Sequence, residues 1–247
     1  MQQQQPPRAV RSVDAVTIQD DMAVVGDGVP YEFDIVPTRR EELGRRIEVR
    51  PGAFVGGVIC GRTIELYDGL GLDMIQMTRV RGLYGMEDVR VGNYCVVATH
   101  VQCNKSVYVG SNSQIFGDIV GESIVIDGNT AVAGNVVGTK DIIIGREVSI
   151  GGYVVSLQGS VAIDDQSQVF DVIAHSGIEL GSGVTTLDPV IQSIDGDVEL
   201  AGQATLGGMN IGAVRRPLHI NTNEIRVKSI EYETITNQLA ASFDELK

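Results

Sequence analysis

Broken into lines, residues 89–177 read VRVGNYCVVATHVQCNKS (89–106), VYVGSNSQIFGDIVGES (107–123), IVIDGNTAVAGNVVGTKD (124–141), IIIGREVSIGGYVVSLQGS (142–160) and VAIDDQSQVFDVIAHSG (161–177). Each line opens apolar-x-apolar, turns on Gly or Asp in most cases, and carries another apolar residue at the eighth offset: Val97, Ile115, Val132, Ile150 and Val169. The tenth offset is usually Gly or Asp, and a third apolar pair follows: Ile119–Val120, Val136–Val137, Val154–Val155. A period of 17 to 19 residues means one supersecondary unit per repeat, stacked on its neighbours. Short β-branched runs broken by Gly and Asp are strands with turns, and three runs per repeat make a coil with three faces. The expected fold is all-β, a parallel β-helix of about 17–20 residues per coil.

Side chains alternate along a strand, so the opening run of each line points two residues inward. Those are Val89 and Val91, Val107 and Val109, Ile124 and Ile126, Ile142 and Ile144. The residue between them points outward and changes along the axis: Glu48, Glu65, Arg90, Tyr108, Val125, Ile143, Ala162, Glu179, Glu199. Its ends are charged and its middle is apolar. Tyr108, Val125, Ile143 and Ala162 therefore form a candidate lateral interface, unless a terminal segment covers them.

The pattern extends in both directions. Val16 opens VTIQDDMAVVGDG, with Val24 at the eighth offset and Gly26 at the tenth, so a first coil is expected there. Ile47 restarts the pattern with Val55 and Gly57 in column, and VELAGQATLGGMNIG closes it with Leu206 and Gly208. The expected organisation is a polar, disordered tail over 1–12, a β-helix over 13–212, and a C-terminal extension over 213–247 that caps the stack or forms a short helix. Irregular coils are expected at 31–46 and 64–88, the second bulging at a corner.

Composition agrees. Of 247 residues, 30 are Gly, aromatics make up 5% and there is no Trp, which suits a narrow lumen filled by stacked aliphatics. A net charge of -13 and a pI near 4.6 oppose nucleic-acid binding and general attraction to anionic lipid. Three cysteines make no disulfide framework, and MQQQQPPRAV has no apolar signal core. The expected location is the cytoplasm, including the inner face of the cell membrane.

Parallel β-helices also build enzymes, so the placement of the residues able to do chemistry matters. His100 sits at the eleventh offset and His175 at the fourteenth, four repeats apart, and His219 lies outside the regular stack. They are not expected to converge on a metal. Cys95, His100 and Cys103 invite a zinc reading, but Cys95 shares an inward column with Ala53, Ser113, Thr130 and Val148. Cys103 shares a corner column with Gly121 and Gly138. Asp118, Asp127, Asp164, Asp165 and Asp171 occupy turns, where Asp is favoured for local hydrogen bonding. The sequence offers no catalytic set, no metal ligands and no cofactor site.

The steps Gly117-Asp118-Ile119 and Gly134-Asn135-Val136, the period near 17 and the polar terminus resemble the bactofilins and their archaeal relatives, the halofilins. The likeness is strongest over 89–175 and weaker over 16–88 and 176–212. It implies a right-handed, three-faced β-helix that stacks end to end into nucleotide-independent filaments, a cytoskeletal scaffold for cell shape or protein localisation. Contacts would then run through the end coils, at Ile47, Val49 and Val55 on one side and Val198, Leu200, Leu206 and Ile211 on the other. The implied partners are copies of the same chain, as homopolymer or homodimer, other bactofilin-like subunits, or a membrane-associated protein. No small-molecule substrate is implied. The rival expectation is a trimeric left-handed hexapeptide β-helix, an acyltransferase or carbonic anhydrase-like enzyme, which strict six-residue phasing would favour.

Overall fold

The computed structural model describes residues 16–19, 22–26, 30–32, 34–35, 46–71, 77–188, 190–207 and 209–211. The chain divides into two units, Met1–Pro217 and Leu218–Lys247, and every described residue lies in the first. The expectations for residues 1–12 and 213–247, and for His219, fall outside the described residues.

The fold is a β-solenoid of about nine turns, and the described residues contain no helix. The first face is an eleven-stranded sheet. From Met22–Val25 it runs through Arg46–Val49, Thr63–Leu66, Val89–Val91, Ser106–Val109, Ser123–Ile126 and Ile142–Ile144 to Ser160–Ile163, Gly177–Leu180 and Val198–Leu200, each rung parallel to the last. The second and third faces form one seventeen-stranded network, because the eight-residue strands Phe54–Gly61 and Thr78–Gly85 each contribute to both.

The register follows the apolar columns. Val89 pairs with Val107, Val107 with Ile124, Ile124 with Ile142, Ile142 with Val161 and Val161 with Ile178. Val97, Ile115, Val132 and Ile150 stack likewise on the second face, with Val55, Val80 and Leu206 extending the column. These inward side chains are essentially solvent-free; Ile124, Ile126 and Ile142 are each 0% exposed. Each fully buried Val or Ile contributes roughly 1.5–3 kcal/mol, so the ladders dominate the fold's stability.

Hydrogen bonds between rungs fix the corners. Just before the second face the backbone turns left-handed, at Tyr94, Asn112, Asn129, Glu147 and Gln166 with φ of 54 to 60° and at Gly52 and Gly183 with φ of 70 and 75°. The next residue points inward and is small: Ala53, Cys95, Ser113, Thr130, Val148, Ser167, Val184. Where it carries a hydroxyl, that group bonds to the rung below. Ser113 donates to Gly92 O at 2.9 Å, Thr130 to Gly110 O at 3.1 Å and Ser167 to Gly145 O at 2.9 Å. Ser113 and Ser167 also accept the N–H of Cys95 and of Val148, both at 3.1 Å. No buried hydroxyl in this column is left unpaired, as burial demands.

The glycine–acid steps have a similar cause. A Cβ on Gly134 would lie 2.6 Å from the carbonyl carbon of Gly117, so only glycine lets the rungs approach there. Asp118, one residue on, accepts the backbone N–H of Asn135 at 2.7 Å and its side-chain amide at 3.1 Å. Asn135 in turn accepts the N–H of Tyr153 at 3.0 Å.

Three features differ from expectation. The first expected coil is a hairpin: Val16–Gln19 runs antiparallel to Met22–Val25, and the latter sits on the first face, so Val24 is not in the second-face column. The chain also turns back at the far end, where Met209–Ile211 pairs antiparallel with Ala204–Leu206 instead of continuing onto the third face. Third, most of the segment expected to bulge over 64–88 is regular. Thr78–Gly85 pairs along Phe54–Gly61 with one register shift, so the extra residues lie between Leu66 and Met77.

Candidate interaction surfaces

A solenoid interacts through its two ends and its outward columns. All the end-coil residues whose side chains are described point inward. Ile47, Val49, Val55, Val198, Leu200 and Leu206 are all buried, none more than 6% exposed. Arg46–Val49 is not a terminal rung, since Met22–Val25 pairs on its outer edge and Thr63–Leu66 on its inner edge. Val55 likewise has Tyr31 outside it. Ile47 and Val49 thus lie two strands inside the N-terminal edge and Val55 one strand inside it; the hairpin that covers Ile47 and Val49 shows the apolar spacing of a coil but not its strand direction.

At the other end the faces differ. Leu206 is closed off on the second face by the antiparallel strand that contains Ile211. Among the described residues, Val198–Leu200 on the first face and Ile191–Ser193 on the third pair on one side only, with Gly177–Leu180 and Asp171–Ala174 respectively. Asp197 O accepts the N–H of Ile178 at 2.9 Å and Ala201 N–H donates to Leu180 O at 2.8 Å. By strand alternation the N–H groups of Val198 and Leu200 therefore point away from the stack, along its axis.

The outward column of the first face is in register from end to end: Glu48, Glu65, Arg90, Tyr108, Val125, Ile143, Ala162, Glu179, Glu199. Glu48 and Glu65 both contact Arg46, the former at 3.2 Å, and Arg50 lies 3.6 Å from Glu48. The Arg90 guanidinium sits 4.8 Å from the centre of the Tyr108 ring. The Tyr108 hydroxyl donates to Asp127, which raises the phenol's pKa. Ile143 is 51% exposed, and the stripe is real surface. Beyond it Ile143, Ala162, Asp164, Asp165, Glu179 and Glu199 border an open hollow of about 630 Å³.

The second residue of the third apolar pair forms another apolar column, whose outward direction the sequence pattern did not assign. Val120, Val137, Val155 and Ile173 stack in register on the outer side of the third face. They are 4%, 4%, 2% and 9% exposed, so this stripe is shielded where the first-face stripe is open.

The residues weighed for chemistry are dispersed or engaged. His100 Nδ1 accepts the N–H of Asp118 at 3.0 Å. His175 stands four rungs away, with Nδ1 3.5 Å from Asp195. Cys95 and Cys103 are buried, and desolvation pushes their thiols up to about 12 and about 11. Turn acids hold the next rung: Asp88, Asp141 and Asp165 accept backbone N–H groups of Ser106, Ser160 and Ser182. No three His, Cys, Asp or Glu side chains among the described residues gather as a metal site. No helix among them is long and apolar enough to cross a membrane. No family model, curated protein or solved structure matches the chain.

Proposed function

We propose that this protein is a bactofilin-like structural scaffold that assembles end to end through its β-helix into nucleotide-independent filaments. The observation that carries the reading is the rung Val198–Leu200, whose outer edge has no strand on it among the described residues and whose outward-pointing N–H groups continue the hydrogen-bonding direction of the whole first face. An open strand edge is a template for another chain. The two hairpins refine the mode of growth. At the N-terminal edge Val16–Gln19 runs against the rungs, so a head-to-tail junction on the first face joins it antiparallel to Val198–Leu200 of the next copy. On this reading the first partner is the same chain, the work is done in the cytoplasm or against the inner face of its membrane, and no substrate is turned over.

Val198→Pro tests this. Proline removes one edge N–H and projects its ring toward the incoming strand, at a position where it breaks no hydrogen bond among the described residues. High-speed pelleting of the full-length protein should show wild type in the pellet and Val198→Pro in the supernatant, with an unchanged β-type circular dichroism spectrum. Equal pelleting of a folded variant would remove this edge from the assembly.

A further inference from the structure

The outward column of the first face has two unlike halves. On the N-terminal side Arg90 lies over the Tyr108 ring and the Tyr108 hydroxyl is bonded to Asp127, so together they make a stiff, cationic, aromatic ridge. On the C-terminal side the small Ala162 is followed by Glu179 and Glu199, and these border the open hollow. Ridge and hollow are placed symmetrically about the midpoint between the Val125 and Ile143 rungs. Counting outward from it, Tyr108 matches Ala162, Arg90 matches Glu179, and Glu65 with its bonded Arg46 matches Glu199.

We propose that this face binds a second copy of the chain, antiparallel, about a two-fold axis through that midpoint. Val125 meets the partner's Ile143, Tyr108 enters the hollow beside the partner's Ala162, and Arg90 meets the partner's Glu179. Such an interface is self-complementary, as a closed two-fold contact must be. On the flanks Asp127 falls opposite the partner's Gly145 and Asp164 opposite the partner's Gly110, so neither faces an acid; Glu65 does fall opposite the partner's Glu199, where Arg46, bonded to Glu65, supplies the opposite charge. Parallel pairing would instead set Tyr108 on Tyr108, Arg90 on Arg90 and Glu179 on Glu179, with like charges opposed. The third-face stripe offers no equivalent surface, because its residues are at most 9% exposed.

Eight rungs at about 4.8 Å give a strip roughly 38 Å long and, at three residues wide, about 10 Å across. Counting both partners this is on the order of 800 Å², the size of a weak, transient interface. Two isolated chains therefore pair loosely, and chains already joined end to end pair firmly through multiple contacts. Pairing does not depend on end-to-end growth, so each can fail without the other.

The test is a cross-link in the full-length protein carrying Arg90→Cys and Glu179→Cys, treated with a bis-maleimide spanning about 10 Å, the spacing of packed sheets. Within one chain the two positions are five rungs and about 24 Å apart, beyond the linker. The antiparallel pair gives covalent dimers whose peptide maps join position 90 to position 179, absent from protein with native cysteines alone. Adding Ala162→Arg fills the hollow and cuts that product by about tenfold, the effect expected of a misplaced interfacial charge. Links of 90 to 90 and 179 to 179, no dimer at all, or an unchanged yield with Ala162→Arg would each overturn the proposal.

Discussion

At the scale of single residues, the corners carry strain that the fold tolerates. Gln166 is exposed and sits at φ 60°, a conformation that costs a non-glycine residue on the order of 1 kcal/mol. Its backbone N–H bonds to Ser182 O at 2.8 Å, and glycine would keep that bond. Gln166→Gly should therefore stabilise the protein by about 0.5 kcal/mol, after allowing for glycine's greater freedom when unfolded, seen as a rise in the urea midpoint. The cysteines give a second test. With thiols at about 12 and about 11 through burial, Cys95 and Cys103 carry almost no thiolate at neutral pH. Ellman's reagent should leave both unlabelled in the folded protein at pH 8 and label all three cysteines in denaturant; fast labelling of either in the native state would contradict the packing. Their structural role was legible beforehand, because Cys95 falls in a column of Ala, Ser, Thr and Val.

At the scale of the strand and corner, stacking turns a local bond into a joint between rungs. Ser113 donates to Gly92 O and accepts from Cys95 N–H, so Ser113→Ala strands two buried backbone groups at once. The expected loss is roughly 1–3 kcal/mol in chemical denaturation, well above that of an exposed serine such as Ser149 on the same face. The inward columns could be read directly from sequence because apolar identity at a fixed offset is what the lumen selects. Strand direction could not. Val16–Gln19 and Met22–Val25 show the apolar spacing of a coil, yet they form an antiparallel hairpin, and the same holds for Ala204–Leu206 and Met209–Ile211. A repeat column records which residues face inward, not which way the chain runs between them.

At the scale of the whole molecule, the stack uses polar side chains to join its rungs. Among the described residues, Asp118 and His100 bond adjacent rungs, while the outer edge of Val198–Leu200 carries no strand and the stripe at Ile143 is open. The stripe Tyr108–Val125–Ile143–Ala162 was visible as a column, but its exposure was not. Val120–Val137–Val155–Ile173 looks as apolar in sequence and is shielded. Exposure depends on what packs against a face, and the repeat itself does not encode that. The ends were hardest to read for the same reason, since a terminal rung differs from an internal one only in lacking a neighbour.

Negative-stain electron microscopy of the untagged protein, without nucleotide and across a range of salt, shows whether the chain assembles end to end. Thin, unbranched filaments that persist without nucleotide are the expected result. Discrete particles at every salt concentration would contradict it, and a three-fold outline among them would turn attention to the trimeric enzyme class.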